Sequence, residues 1–284
     1  MGKIKVGILH PGKMGVFVAA CIQKSGCDVY WASAGRSLQT HQRAESRQLQ
    51  DTGTLASLCE ICQVIASVCP PHAAEDVADQ VMEQSFHGQY LELNAVSPQK
   101  ATAIGMKMQS TGIDYVDGCI IGDPAWEKGN TYLYLSGGGS AEAARLFTSG
   151  SMEAHVIGDT IGQASALKMC YSAYTKGTTA VLVSILAAAQ ALGVRTELEA
   201  RWSMDWPDFA EATRDRVRKV TAKAWRFAGE MDEIAATFQS TGLPGEFYLA
   251  SSQIYWRIAG FKDSPFEPEL DEVLAALLGA RNSK

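Results

Sequence analysis

The opening strand, turn and helix constrain this chain more than any other feature. Residues 3–9 (KIKVGIL) are a β-branched-rich run that ends in the turn His10-Pro11-Gly12. From Lys13 through Ile22 the apolar period changes from that of a strand to that of a helix. Ser25-Gly26 stops the helix, and residues 28–33 (DVYWAS) form a second strand. Residues 63–69, 90–95, 115–121 and 131–136 read as further strands, with helical stretches at 54–61, 73–84 and 99–109. Such alternation implies a parallel sheet with helices on both faces.

The remainder reads as helix, and residue usage shifts with it. All five histidines, six of seven cysteines and 17 of 26 glycines lie within the first 155 residues, whereas four of six tryptophans follow. The expected division is therefore 1–156 and 157–284. A net charge of −6 argues against a basic surface for nucleic acid. Seven irregularly spaced cysteines argue against a secreted disulfide scaffold. The chain enters its first strand without a charged-then-apolar leader. Its longest apolar run, residues 180–189, is far short of the ~20 residues of a membrane span. A soluble, cytoplasmic protein without membrane or nucleic-acid partners is expected.

The first strand–helix turn carries the chemistry. In a dinucleotide-binding fold this turn sets backbone N–H groups and a helix N-terminus against a pyrophosphate, and glycines permit the close approach. Gly12 and Gly15 meet the second and third positions of G-x-G-x-x-G, and His10 stands at the first. His10, Pro11, Gly12, Lys13, Met14 and Gly15 are thus candidate cofactor contacts, joined by Cys69 at the end of the strand 63–69. NAD-specific sites usually place Asp or Glu at the end of the second strand. Here that end reads Ser33-Ala34-Gly35-Arg36-Ser37, and the next acid after Asp28 is Glu45. Arg36, with Ser33 and Ser37, suits the 2′-phosphate of NADP(H); Arg43 is a weaker candidate, and Arg36 as a solvated loop residue is the alternative. Cys59-Glu60-Ile61-Cys62 has no second pair to complete a zinc site and reads as core packing. No metal is expected.

Residues 162–193 read as one helix of about 30 residues, ~45 Å long. Lys168 lies on it among apolar neighbours, with Tyr171, Ser172 and Thr175 on its face. An amine desolvated by apolar walls exchanges its proton more readily, which suits acid–base work. A lysine that merely reaches solvent along the helix is the alternative.

With these residues in hand, the chain resembles the β-hydroxyacid dehydrogenases and, more distantly, the 6-phosphogluconate dehydrogenases and imine reductases. Residues 8–15 (ILHPGKMG) resemble that family's cofactor signature, and Asn94-Ala95-Val96-Ser97-Pro98 its polar pair and Ser-Pro beside the nicotinamide. Residues 117–123 (DGCIIGD) resemble its substrate-binding segment, Gly129-Asn130-Thr131 the following turn, and residues 158–172 the segment whose catalytic lysine falls on Lys168. The resemblance implies an α/β fold: an N-terminal Rossmann dinucleotide-binding domain followed by an all-α C-terminal domain that supplies a homodimer contact. It implies Asn94 as a cofactor and substrate contact, and Gly122, Asp123 and Ser172 at the substrate.

The departures bear on the substrate. Ile121 replaces a serine of the substrate segment, and Tyr171 and Ser172 replace paired asparagines. Residues 242–263 look more like an uncharacterised branch associated with 6-phosphogluconate dehydrogenase. The function expected is NADPH-dependent hydride exchange with a small carbonyl or hydroxy substrate, Lys168 moving the proton and Tyr171 assisting. Imine reduction on the same fold is one alternative. An NADP(H)-binding sensor or scaffold without turnover is another.

Overall fold

The computed structural model describes residues 2–262 and 264–279. Internal contacts divide the chain into two compact units, Met1–Met169 and Cys170–Lys284. The boundary expected at 156/157 falls inside a strand, and the division lies further on.

The first unit is built on eight strands: β1 (Lys5–Ile8), β2 (Asp28–Trp31), β3 (Gln50–Asp51), β4 (Val64–Ser67), β5 (Gln89–Glu92), β6 (Asp114–Ile121), β7 (Thr131–Ser136) and β8 (Met152–Gly158). Their order across the sheet is β3-β2-β1-β4-β5-β6-β7-β8. Neighbours from β3 to β6 are parallel, as are β7 and β8. β7 runs antiparallel to β6, because residues 122–130 are too few for a crossover helix.

Helices α1 (Lys13–Lys24), α2 (Leu38–Ser46), α3 (Leu55–Ile61), α4 (Ala74–Met82), α5 (Pro98–Ser110) and α6 (Ser140–Ala144) connect the strands, and α7 (Gln163–Ser172) follows the last. Strand alternation feeds two core layers. Val6, Ile8, Val29, Trp31 and Leu91 pack with Phe17 and Ile22 of α1; Ile65, Tyr90 and Tyr115 pack with Leu58, Val77 and Ile104 of α3, α4 and α5. Cys59 and Cys62 belong to the second layer, and burial pushes their thiols up to about 11 and 12.

Four elements depart from the sequence expectation. α2 (LQTHQRAES) buries only Ala44, so it carries no apolar stripe. Both β3 residues are exposed, and α6 is a single short turn and a half. Edge strand β8 leaves most of its side chains partly or fully exposed and lacks the alternation of a half-buried strand.

The second unit contains α8 (Thr178–Ala191), α9 (Arg195–Asp205), α10 (Phe209–Val220), α11 (Ala224–Ser240), α12 (Glu246–Arg257) and α13 (Leu270–Leu277) around Val183, Leu186, Val217, Ile234, Tyr255 and Val273. The single helix expected over 162–193 is interrupted. Ala173–Gly177 form a π turn between α7 and α8. Carbonyls loosened by the wider turn find side-chain donors: Arg216 and Thr179 donate to the Thr175 oxygen, and Tyr255 donates to the Lys176 oxygen at 2.7 Å. Among the described residues no helix is long and apolar enough to cross a membrane.

Candidate active site

In a sheet of this order the strand sequence switches sides between the parallel strands β1 and β4, and the crevice beyond their carboxyl ends is where such folds receive ligands. The turn after β1 is shaped for close approach. Gly12 N–H donates to the His10 oxygen at 2.8 Å, and Gly12 starts α1 as its N-cap. A Cβ on Gly15 would lie 2.1 Å from the His10 oxygen, so only glycine lets the helix sit this close to the strand end. A Cβ on Gly12 would meet nothing within 4 Å, which leaves the outer face of the turn open. No side chain caps α1, and its first turn holds no acid. Its N–H groups and positive dipole end suit an anion. Pro11 is buried, Lys13 exposed and Met14 packed against the core.

The end of β2 adds a cation. Arg36 N–H closes a turn on the Ser33 oxygen at 3.1 Å, and the Ser37 hydroxyl caps α2 by accepting from Thr40 N–H at 3.4 Å. Asp51 on β3 is the nearby acid, and its carboxylate accepts from Gly53 N–H at 2.8 Å. Arg36 lies near His10 and Cys69. Burial, and then the Arg36 guanidinium, hold the His10 imidazole down to about 4, so it is neutral at physiological pH. Burial likewise lowers Arg36 from its ordinary value. His10 Nδ1 and Arg36 Nε are buried without a hydrogen-bond partner. These orphaned nitrogens, with an uncapped helix and an open glycine face, fit the phosphates of a dinucleotide.

Asn94 ties this crevice to the next strand. It is 3% exposed; its Oδ1 accepts from Cys69 N–H and its Nδ2 donates to the Ser67 hydroxyl at 3.0 Å. Burial, then Glu92, pushes the Cys69 thiol up to about 12, so Cys69 contributes its backbone and a neutral side chain.

Lys168 stands on α7, half-buried, and donates to the Ile120 oxygen at 2.7 Å. The start of α7 is fully accounted for. Asp117 accepts from Gly162 N–H, Ser165 N–H and the Ser165 hydroxyl, Ser136 accepts from Ala164 N–H, and Gln163 N–H donates to the Thr160 oxygen. Beyond β6, Gly122 has φ +112°, and a Cβ there would lie 2.2 Å from the Asn130 oxygen. Asp123 is exposed, and its carbonyl accepts from the Thr131 hydroxyl.

Tyr171 and Ser172 fall in the helical unit. Tyr171 is 48% exposed. Ser172 is buried, and Lys176 Nζ donates to its hydroxyl at 3.2 Å. Lys176 also pairs with buried Glu230 and lies 4.7 Å from the centre of the Phe227 ring. Sequence reasoning missed Lys176, Glu92 and Ser136, and read Asp117 only as part of a segment. A carboxylate inside an apolar strand, as in YLELN and YVDGCII, was the available signal for Glu92 and Asp117. Among the described residues no His, Cys, Asp and Glu cluster could hold a metal.

Comparison with known proteins agrees with this fold. Residues 189–258 match a family model described as a domain of unknown function, DUF1932. A curated relative from Methanothermus fervidus, the uncharacterized 28.5 kDa protein in the 7S RNA 5′ region, is 27% identical over 195 residues, covering 68% of this chain and 75% of that protein. Mycobacterium tuberculosis 3-hydroxyisobutyrate dehydrogenase, solved with L-serine, superposes with a TM-score of 0.71 at 13% identity, over 97% of this chain and 99% of its own. Aspergillus terreus reductive aminase, solved with NADPH and ethyl levulinate, gives a TM-score of 0.58 at 14% identity, over 96% and 99%. The chain has the fold shared by 3-hydroxyacid dehydrogenases and imine reductases.

Proposed function

We propose that this protein is an NADP(H)-dependent oxidoreductase acting on a small carbonyl or hydroxy compound. The observation that carries the reading is the open α1 terminus at the β1/β4 crevice, with the unpartnered nitrogens of His10 and Arg36 beside it. Gly12, Gly15 and the first N–H groups of α1 would hold the diphosphate. Arg36, with Ser33 and Ser37, would hold the 2′-phosphate, since nothing acidic ends β2. Asn94 would orient the nicotinamide or the substrate from the β5 end. Once bound, the nicotinamide supplies or accepts a hydride. Lys168 would give a proton to the developing alkoxide at its oxygen, or remove it in the reverse direction. Tyr171 would assist, Gly122 and Asp123 would face the substrate, and Ser172 would reach it only by giving up its bond from Lys176.

Reduction of an imine is the second reading. Buried Ile121 and the engagement of the Ser172 hydroxyl by Lys176 remove two groups that would hold a carboxylate and a hydroxyl, which favours a substrate lacking them.

The test has two parts. Fluorescence titration should give tighter binding of NADPH than of NADH, and Arg36→Ala should erase about 10–100-fold of that preference, the value of one or two charge-assisted hydrogen bonds. Equal affinities before and after the substitution would remove Arg36 from the site. Lys168→Ala should cut turnover of the best member of a ketone and cyclic-imine panel by ~10²–10⁴ while NADPH affinity holds. Unchanged turnover would overturn the role of Lys168.

A further inference from the structure

Four polar side chains stand side by side in the core of the sheet. Ser67 of β4 is in register with Glu92 of β5, Glu92 with Asp117 of β6, and Asp117 with Ser136 of β7. All four are 0% exposed. Adjacent strands lie ~4.8 Å apart, so residues in register on one face are immediate neighbours. An unbroken polar row in the buried middle of a sheet is costly for every polar atom left unsatisfied, and most so for a charged one.

We propose that Ser67, Glu92, Asp117 and Ser136 form a positioning row whose two carboxyl groups share one proton, carried by Glu92, and which fixes Asn94 at one end and the helix of Lys168 at the other. The hydrogen-bond inventory assigns the proton. Asp117 accepts four hydrogen bonds, from Gly162 N–H, Ser165 N–H and the hydroxyls of Ser136 and Ser165. A carboxylate can use four acceptor sites, and a protonated one cannot. Ser136 must direct its own hydrogen to Asp117, because its oxygen already accepts from Ala164 N–H at 3.0 Å.

Glu92 is differently placed. One oxygen accepts from Asn94 N–H at 3.1 Å, and Oε2 has no partner. Two adjacent carboxylates cannot both stay charged in such a place. Burial, reinforced by the Asp117 charge and opposed by Asn94 N–H and Lys100, pushes Glu92 up to about 8. The other titratable neighbours are Cys69, Tyr90 and Tyr115, each raised by burial and neutral. Tyr90 and Tyr115 pair one row behind, their rings 6.2 Å apart and 11° from parallel.

The row therefore has two working ends. Glu92 Oε1 and the Ser67 hydroxyl hold the backbone and amide of Asn94, which in turn holds the Cys69 turn. Asp117 and Ser136 take the first N–H groups of α7 and so set where Lys168 meets the Ile120 carbonyl. That these ends serve catalysis rests on the oxidoreductase reading; the shared proton and the anchoring do not.

The experiment uses the full chain and readouts independent of turnover. Infrared difference spectra against Glu92→Gln should show a protonated-carboxyl C=O stretch in the wild-type protein at pH 7, titrating near pH 8. In Asp117→Asn the titration should move to lower pH, because the neighbouring charge is gone, whereas a merely structural Asp117 would leave it in place. Hydrogen exchange at Gly162 and Ser165 should rise roughly tenfold in Asp117→Asn and stay unchanged in Glu92→Gln. Ser136→Ala is the milder variant should Asp117→Asn fail to fold, with faster exchange expected at Ala164. An ionised Glu92 at pH 7, a midpoint unmoved by Asp117→Asn, or unchanged exchange at Ala164 would overturn the proposal. A wild-type protein that shows the band but binds no NADPH would sink the oxidoreductase reading and leave the row standing.

Discussion

Helices α1 and α7 both begin in the first unit, and they treat their N-termini in opposite ways. At α1 no side chain caps the end, no acid occupies the first turn, and a Cβ on Gly12 would meet open space. At α7 the early N–H groups are taken by Asp117, Ser136 and a backbone carbonyl. The underlying electrostatics are identical: unpaired donors and the positive end of a dipole. An open terminus suits an anion that must come and go. A terminus filled by the protein's own carboxylate is an anchor. The proposed reaction calls for both, one to receive a cofactor and one to keep a lysine from wandering.

The largest test of this contrast is Asp117→Ala. It strips the acceptor from two backbone N–H groups and two hydroxyls in a buried region, and each orphaned group costs ~1–3 kcal/mol. Urea unfolding should report a loss of about 3 kcal/mol or more. Near-wild-type stability would mean that α7 tolerates an open terminus as well as α1 does, and the contrast would collapse.

The next test separates the two glycines of the open end. Gly15→Ala drives a Cβ into the His10 carbonyl, a backbone clash that should cost ~1–3 kcal/mol and shift the helix. Gly12→Ala has room and an ordinary φ of −73°, so stability should hold within about 1 kcal/mol. NADPH affinity should nevertheless fall by roughly tenfold or more, since the methyl enters the face left for the diphosphate. Full affinity in Gly12→Ala would mean that this open face is not where the cofactor lies.

The open end was legible in the sequence, and the closed end was not. The change of period after Leu9 and the spacing of Gly12 and Gly15 are local, so they locate β1, its turn and α1 without any tertiary knowledge. The α/β class followed from the same kind of signal. Ser67, Glu92, Asp117 and Ser136 follow one another at 19 to 25 residues, and only strand register makes them neighbours. No window of sequence contains that fact. The π turn at Ala173–Gly177 escaped for a similar reason, since part of what satisfies its carbonyls comes from Arg216 and Tyr255 on distant helices. Ser172 reads as a hydroxyl on the face of Lys168, and nothing in the sequence signals the bond it accepts from Lys176.

The smallest effect concerns pH, where the two ends pull stability in opposite directions. His10, beside the open end, is held down to about 4 against an ordinary value of 6.5. The unfolded chain binds that proton first, so the stability His10 contributes is complete above pH 6.5 and is lost as pH falls toward 4. Glu92, in the row behind the closed end, is raised to about 8 from 4.5. The folded chain keeps that proton longer, so its contribution is complete below pH 4.5 and is lost as pH rises toward 8. Between 4.5 and 6.5 the two slopes oppose each other, and between 6.5 and 8 only that of Glu92 remains. Urea unfolding across the upper window should show wild-type stability declining with pH, by no more than about 1.4 kcal/mol per pH unit for a single proton. In Glu92→Gln that decline should flatten, and the acid-side loss from His10 between pH 6.5 and 4.5, offset by Glu92 in the wild-type protein, should emerge. A decline of equal slope in both proteins would place the titrating group elsewhere and leave the closed end without its proton.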